Sequence, residues 1–453
     1  MNGRFTGSYV LSVEHDTEAG VPWFGNLTVP EDKSESVKFE LFSENPCHSK
    51  APFKELESQS GTIVRGWLNS NRPITLIEPY ITYSGGGGWS AGYRNSAAIR
   101  GAADNYIEDE HFLGGEEREI SEIGFSSDAL DLICRAQAVR TDAVKSVNFP
   151  FESLVMHRSV SLKGLGELTL KIAFKTDSNG EEIFARSFTR LVEPERLTIW
   201  QVIEFSHLQL ALLDFLAGKP TGDYNYGILG ARGWDSSLRL MGSKRGEADK
   251  KPSQTRTILD DPISLVPQLI SKVWHVDELK EQIFVATTLI GANLGFIEKF
   301  SRTSAYLEQR LRKRYRKSGL ASRQSAYKQG IAVYRDFIKS GGKEITDFAN
   351  RFAKPVYPRE STLRELFEMA ITECAPLGLT VPNGYERELV QLRNEVFHGH
   401  EGSSREWMKK IQFATEVGIA VLELLTAKDI GLTPPNNYRP RHDTLGTQLG
   451  IYG

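Results

Sequence analysis

The sequence is poor in cysteine: only Cys47, Cys134 and Cys374 occur among 453 residues, far apart and odd in number. That excludes a disulfide framework and a CxxC metal knuckle, and it fits a reducing, cytoplasmic setting. Long apolar runs are also missing. The longest, IFVATTLIGANLGF at 283–296, falls short of the ~20 residues that cross a bilayer, so it predicts a buried helix and no membrane partner. The start, MNGRFTGSYVLSVEHD, has no basic segment leading into an apolar stretch, and no secretory signal is expected. Charge of one sign is not in excess either. Lys plus Arg number 55 against 58 for Asp plus Glu, so any nucleic-acid surface has to be local. With 40% hydrophobic and 25% charged residues the composition is that of a globular chain, not of a disordered, collagen-like or coiled-coil one.

What is present divides the chain. Residues 1–190 hold short apolar or alternating runs, TIVRGWL (62–68), ITLIEPYITY (74–83), LTLKIAF (168–174) and EEIFARSFTRLV (181–192), broken by Gly, Pro, Asn and Asp. Period two between turn residues predicts strands, with TDSNGEE (176–182) as a hairpin turn. After VEPERLTIW the apolar positions from Val202 to Leu216 recur at three- and four-residue steps until Gly218-Lys219-Pro220 stops them, which predicts a helix. Residues 220–262 are rich in Gly, Asp, Ser and Pro and read as a connector, with 240–254 as a mobile loop. From 263 onward the segments 263–300, 303–317, 321–340, 361–375, 384–398 and 404–427 are amphipathic, separated by Gly and Pro breaks. The expected fold class is therefore α+β. A β-rich N-terminal domain (1–195) is followed by a helical connector and mobile loop (196–262), an all-helical bundle (263–430) and an irregular tail (431–453).

One segment of the bundle concentrates chemistry. In ELVQLRNEVFHGHEG (388–402) a helix with apolar Leu389, Leu392, Val396 and Phe397 carries Arg393-Asn394 and runs into His398-Gly399-His400. Gly399 stands where a left-handed helix cap is expected, which puts His398 at the last carbonyls. Histidine is the side chain suited to taking and giving a proton near neutral pH. Arg393 lies about 1.4 turns upstream, so the two do not share one stripe of an ideal helix. Two copies meeting across a two-fold axis would bring both pairs into one cleft, with paired imidazoles for proton transfer and guanidinium forks for a phosphodiester.

The string LRNEVFHG (392–399) resembles the hallmark of HEPN domains (higher eukaryotes and prokaryotes nucleotide-binding), an Arg followed by a polar residue and, after four to six residues, a His often followed by Gly. A β-rich first half with this motif late in a helical second half is similar to ApeA-type anti-phage defence proteins. The resemblance implies a HEPN-like bundle and a metal-independent endoribonuclease in which the RNA's own 2′-OH attacks the adjacent phosphate. Carried over by position, Arg393 would stabilise phosphate charge, Asn394 would orient substrate or the partner histidine, and His398 would be the general acid or base. His400 also satisfies the spacing, so both histidines are candidates. The resemblance further implies abortive infection as the role, a homodimer or higher homo-oligomer, RNA as a partner, and a phage-derived trigger at a sensor or regulatory N-terminal domain. No metal or other cofactor is expected.

A second feature supports RNA. Residues 298–328 hold ten Lys or Arg against two Glu, and Arg310, Arg312, Lys313, Arg314, Arg316 and Lys317 cover much of one predicted helix with Tyr306, Tyr315 and Tyr327 interleaved. Phosphates are drawn to such a run, and tyrosines stack on unpaired bases. A solvated or acid-paired helix face fits the same pattern. Two alternatives to catalysis remain open: a non-catalytic HEPN-type module that binds RNA or nucleotide and oligomerises, and a ligand-binding β domain with a structural helical tail. The tetraglycine Gly85–Gly88 lacks the Lys-Ser or Lys-Thr of a phosphate loop, and with Trp89 it forms a candidate sensor loop.

Overall fold

The computed structural model describes residues 7–13, 23–30, 35–43, 63–68, 73–86, 97–109, 120–134, 156–176, 183–218, 224–230, 233–240, 259, 261–291, 294–315, 320–352, 361–399 and 404–433. They belong to two compact units, Met1–Asn293 and Leu294–Gly453.

In the first unit fourteen described strands form one sheet: β1 (Gly7–Val13), β2 (Trp23–Val29), β3 (Val37–Ser43), β4 (Ile63–Leu68), β5 (Pro73–Ile77), β6 (Tyr80–Gly86), β7 (Ala97–Ala103), β8 (Asn105–Asp109), β9 (Ile120–Ser127), β10 (Met156–Leu162), β11 (Gly166–Thr176), β12 (Ile183–Leu197), β13 (Tyr224–Gly230) and β14 (Gly233–Arg239). Their order is β10-β11-β12-β9-β13-β14-β8-β5-β4-β1-β2-β3-β7-β6. The alternation of β3 shows why one face turns inward: Val37, Phe39 and Leu41 are buried while Lys38 is exposed and Glu40 half-buried. Ile74, Leu76 and Tyr106 of β5 and β8 share one core cluster with Leu27, Phe39, Leu41 and Ile99 of β2, β3 and β7. Strands well separated in the order meet only if the sheet rolls over on itself. Arg239 at the end of β14 supports the roll by donating to the backbone oxygen of Pro30, between β2 and β3.

Four described helices accompany the sheet in this unit: α1 (Asp128–Ile133), α2 (Ile199–Ala217), α3 (Pro262–Trp274) and α4 (Asp277–Gly291). Helix α2 opens on a capping box, in which Thr198 accepts from the Gln201 backbone and the Gln201 side chain accepts from the Thr198 backbone, and it closes on Gly218 at φ +74°. It is apolar on nearly every side, the pattern of a helix enclosed all round. The Tyr226 hydroxyl donates to the Ser206 carbonyl at 2.9 Å and the Gln209 amide to Thr189, which ties the helix to β13 and β12. Helices α1, α3 and α4 pack around it.

Two expectations need correction. Residues 196–262 are not mainly a connector, because β13 and β14 lie inside the sheet between β9 and β8. The helical segments just after 262 belong to the first unit, so the boundary falls at 293/294 rather than 263. Of the apolar run at 283–296, the part within α4 is buried on one face, with Ile283, Ala286 and Leu289 inside and Phe284 exposed. No helix among the described residues is long and apolar enough to cross a membrane. The greater part of the loop 240–254, the residues Gly87–Trp89 and the tail beyond 433 lie outside the described residues.

The described elements of the second unit are helices: α5 (Phe296–Tyr315), α6 (Leu320–Ser340), α7 (Gly342–Phe352), α8 (Leu363–Cys374), α9 (Tyr385–Phe397) and α10 (Arg405–Ile430), with a short 3-10 turn at Ala375–Leu377. Helix α5 packs against α8, α9 and α10. Its approach to α10 is close enough that a Cβ on Gly418 would lie 2.8 Å from Thr303 Cγ2, a contact only glycine avoids. Thr362 with Glu365 caps α8, and Ser404 caps α10 by accepting from the Trp407 N–H.

Candidate functional site

Helix α9 follows Gly384, which has φ +77°, and its first turn carries Glu386 and Glu388, placed favourably for the positive end of a helix dipole. Tyr385, Leu389 and Leu392 form its buried stripe. Arg393 and Asn394 sit beside and opposite that stripe, so the sequence that buries the helix also brings them to its margin and surface. The helix ends at His398, whose backbone N–H donates to the Asn394 carbonyl at 3.0 Å, and Gly399 follows in the left-handed conformation at φ +73°. Asn394, Phe397, His398 and Gly399 are all exposed. His400 lies outside the described residues.

The guanidinium of Arg393 is held on several sides. Its Nη2 donates to Glu308 Oε2 at 3.0 Å and its Nη1 to Asn394 Oδ1 at 3.2 Å. Its Nε is buried without a hydrogen-bond partner among the described residues. Its plane lies over the Phe397 ring, 4.5 Å from the centroid, a cation–π contact of about 0.5–1 kcal/mol at such a site. Among the described residues no hydrogen bond or ion pair joins the His398 ring to Arg393. Within one chain the structure therefore brings together Arg393, Asn394 and Phe397, and leaves His398 exposed at the helix end.

Glu308, on α5, was missed in the sequence. Its Oε1 accepts from both Nε and Nη2 of Arg312, at 3.0 and 2.8 Å, while its Oε2 takes Arg393. The available signal was the i, i+4 spacing of Glu308 and Arg312, which pairs opposite charges along a helix. The partnership with Arg393, 85 positions away, has no local signature.

The basic helix divides into two kinds of residue. Arg312 and Lys313 reach the surface, whereas Arg316 and Lys317 lie outside the described residues. Arg310 is buried: it donates to the Leu422 carbonyl at 3.0 Å, to Thr426 Oγ1 at 2.6 Å and to Asp429 Oδ2 at 3.0 Å. Arg314 spans Glu373 and Asp429, and Lys428 and Tyr315 complete the set around Glu373. The expected RNA-facing row is corrected here. Arg310 is turned into the bundle and Arg314 is committed to two carboxylates, because both lie on the side of α5 that faces α8 and α10.

These contacts have a pH signature. Arg314, followed by Lys428 and Tyr315, holds the Glu373 carboxyl down at about 2, against an ordinary 4.5. A carboxylate whose pKa is lowered by folding stabilises the native state above its unfolded pKa, and that contribution is lost as pH falls through the folded value. Thermal melts of the second unit's transition should therefore hold steady from neutrality to about pH 5 and fall steadily toward pH 2, and Glu373→Gln should flatten that slope. Equal slopes in both proteins would remove Glu373 from the account.

No family model, curated protein or solved structure matches the chain.

Proposed function

We propose that this chain is a metal-independent HEPN-type endoribonuclease acting in anti-phage defence by abortive infection, in the cytoplasm and as a homodimer or higher homo-oligomer. The observation that carries the reading is the end of helix α9. A guanidinium, an amide and an exposed imidazole occur there in the order Arg393-Asn394-His398, closed by Gly399 in the left-handed cap. In this reaction a base removes the proton of an RNA 2′-OH, the 2′ oxygen bonds to the adjacent phosphorus, and the bond to the 5′ oxygen breaks. An acid returns a proton to that leaving oxygen, and the products are a 2′,3′-cyclic phosphate and a 5′-OH. His398 of two apposed copies would supply base and acid. Arg393 would meet the charge gathering on the phosphate, and Asn394 would orient substrate or imidazole. The β-rich unit would restrain the nuclease until a phage-derived trigger arrives.

Incubating the protein with RNA in excess EDTA tests this. Fragments ending in 2′,3′-cyclic phosphate are expected, and RNA left intact with no binding would overturn the reading. One observation favours a second reading, a non-catalytic HEPN-type module for binding RNA or nucleotide and for oligomerisation: Arg393 already has a carboxylate partner in Glu308. RNA that is bound but uncut would select it.

A further inference from the structure

The Arg312–Glu308–Arg393 cluster is unusual in how its charges are shared. One carboxylate meets two guanidinium groups, one on each oxygen, and all three side chains reach solvent, with 19% exposure for Glu308, 26% for Arg393 and 41% for Arg312. Two arginines from different helices are thus held around one anion at the surface. A phosphodiester has the same outward chemistry as a carboxylate, one negative charge spread over two oxygens that accept guanidinium forks. We infer that Arg312 and Arg393 form a two-guanidinium phosphate site and that Glu308 is its resident anion, which an RNA phosphodiester displaces or shares. The inference rests on the reading of Arg393 as a phosphate-handling residue and deepens it by naming its partner and its competitor.

The hydrogen bonds of Arg393 favour such an exchange. Nη1 gives one of its two N–H groups to Asn394 and Nη2 one of its two to Glu308, while Nε is buried, so an incoming phosphate meets the second N–H of each terminal nitrogen beside a carboxylate that repels it, and gains fully only when Glu308 shares or gives up its place. Asn394 is neutral and its bond, at 3.2 Å, is the longer one. Glu308 is the acceptor whose charge opposes an anion. Keeping it in place holds the two guanidinium groups together in the free protein while lowering their attraction for bulk anions. RNA then gains from the site only where the rest of its backbone is already bound.

The test is binding of a single-stranded oligonucleotide with 2′-deoxy sugars, which cannot be cleaved by 2′-OH attack, measured by fluorescence anisotropy over a range of salt. Glu308→Gln frees one positive charge for the phosphate backbone. Affinity should rise roughly threefold or more at low salt, and the slope of log affinity against log salt should steepen by about 0.7. Glu308→Ala should shift both quantities the same way, and Glu308→Asp, which keeps the charge, should keep the original slope. A merely structural role would lower the melting temperature without moving the slope. An unchanged slope or weaker binding in both the Gln and Ala variants overturns the inference, as does the absence of measurable binding in all four proteins. Cleavage of an ordinary RNA by the same proteins is scored separately. A steeper slope without cleavage would retain the phosphate site and reject the nuclease, while cleavage with no change in slope would do the reverse.

Discussion

His398→Ala is expected to lower RNA cleavage by about 10²–10⁴-fold, the usual contribution of a positioned acid or base, with no change in the melting curve. The separation of the two effects follows from how the helix ends. His398 serves the fold through its backbone: its N–H closes the last turn on the Asn394 carbonyl, and alanine can do the same. Its ring is exposed and makes no hydrogen bond or ion pair among the described residues, so removal changes stability by less than about 0.5 kcal/mol, as for other surface positions. Arg393→Ala is a less clean variant, because it strips Glu308 of a partner and uncovers Phe397. Arg393→Lys is more informative, since it keeps the charge and loses the planar fork. A protein with His398→Ala that still cuts RNA at the original rate would show that another group carries the proton. His400→Ala is then the variant to compare, as the second histidine with the required spacing.

The architecture was legible where local chemistry decides it and obscure where distant partners do. The strands in the runs 62–68, 74–83, 168–174 and 181–192 and the helix from Val202 to Leu216 stand where period-two and three-to-four spacing put them, and the structure adds local closures that this spacing did not use, the capping boxes of Thr198 with Gln201 and Thr362 with Glu365. By contrast, YNYGILG and GWDSSLR carry the Gly, Asp and Ser of a connector, yet they are β13 and β14. The two strands pair with each other as a hairpin, and each is held in the sheet by a further partner, β13 by β9 and β14 by β8, roughly 100 and 130 residues earlier, which no local pattern encodes. Amphipathic spacing after residue 262 correctly indicates helices but says nothing of which unit they join. The same limit governs the candidate site. Arg393, Asn394 and His398 are readable from spacing within one helix, whereas Glu308 reaches Arg393 through packing of α5 on α9. Arg310 did leave a trace: it stands three positions after Leu307 and next to Leu311, on the buried stripe of α5, where a charged residue signals an interior partner.

Asp429→Asn should destabilise the second unit far more than its modest change in shape suggests. Asp429 is the carboxylate that faces Arg310, a guanidinium nine-tenths buried whose other acceptors include the Leu422 carbonyl and the Thr426 hydroxyl. Burial disfavours the charge on Arg310 and Asp429 is the chief group opposing that effect, yet arginine cannot shed its proton at any accessible pH. Removing one partner of a buried pair leaves the other charge uncompensated, at about 3–5 kcal/mol. For a unit of this size that lowers the melting temperature on the order of 10 °C. Lys428→Ala provides the contrast. Lys428 also forms an ion pair, with Glu373 at 2.8 Å, but it is half-exposed, and such pairs contribute about 0–1 kcal/mol. If the two variants melt alike, the interior pair does not carry the stability assigned to it. The comparison bears on function as well, since Asp429 holds Arg310 and Arg314 of α5 onto α10, and the same helix delivers Glu308 and Arg312 to Arg393. A loosened α5 should then weaken RNA binding without altering its salt slope, whereas substitution of Glu308 alters the slope itself. The first outcome marks a residue that supports the site, and the second one that occupies it.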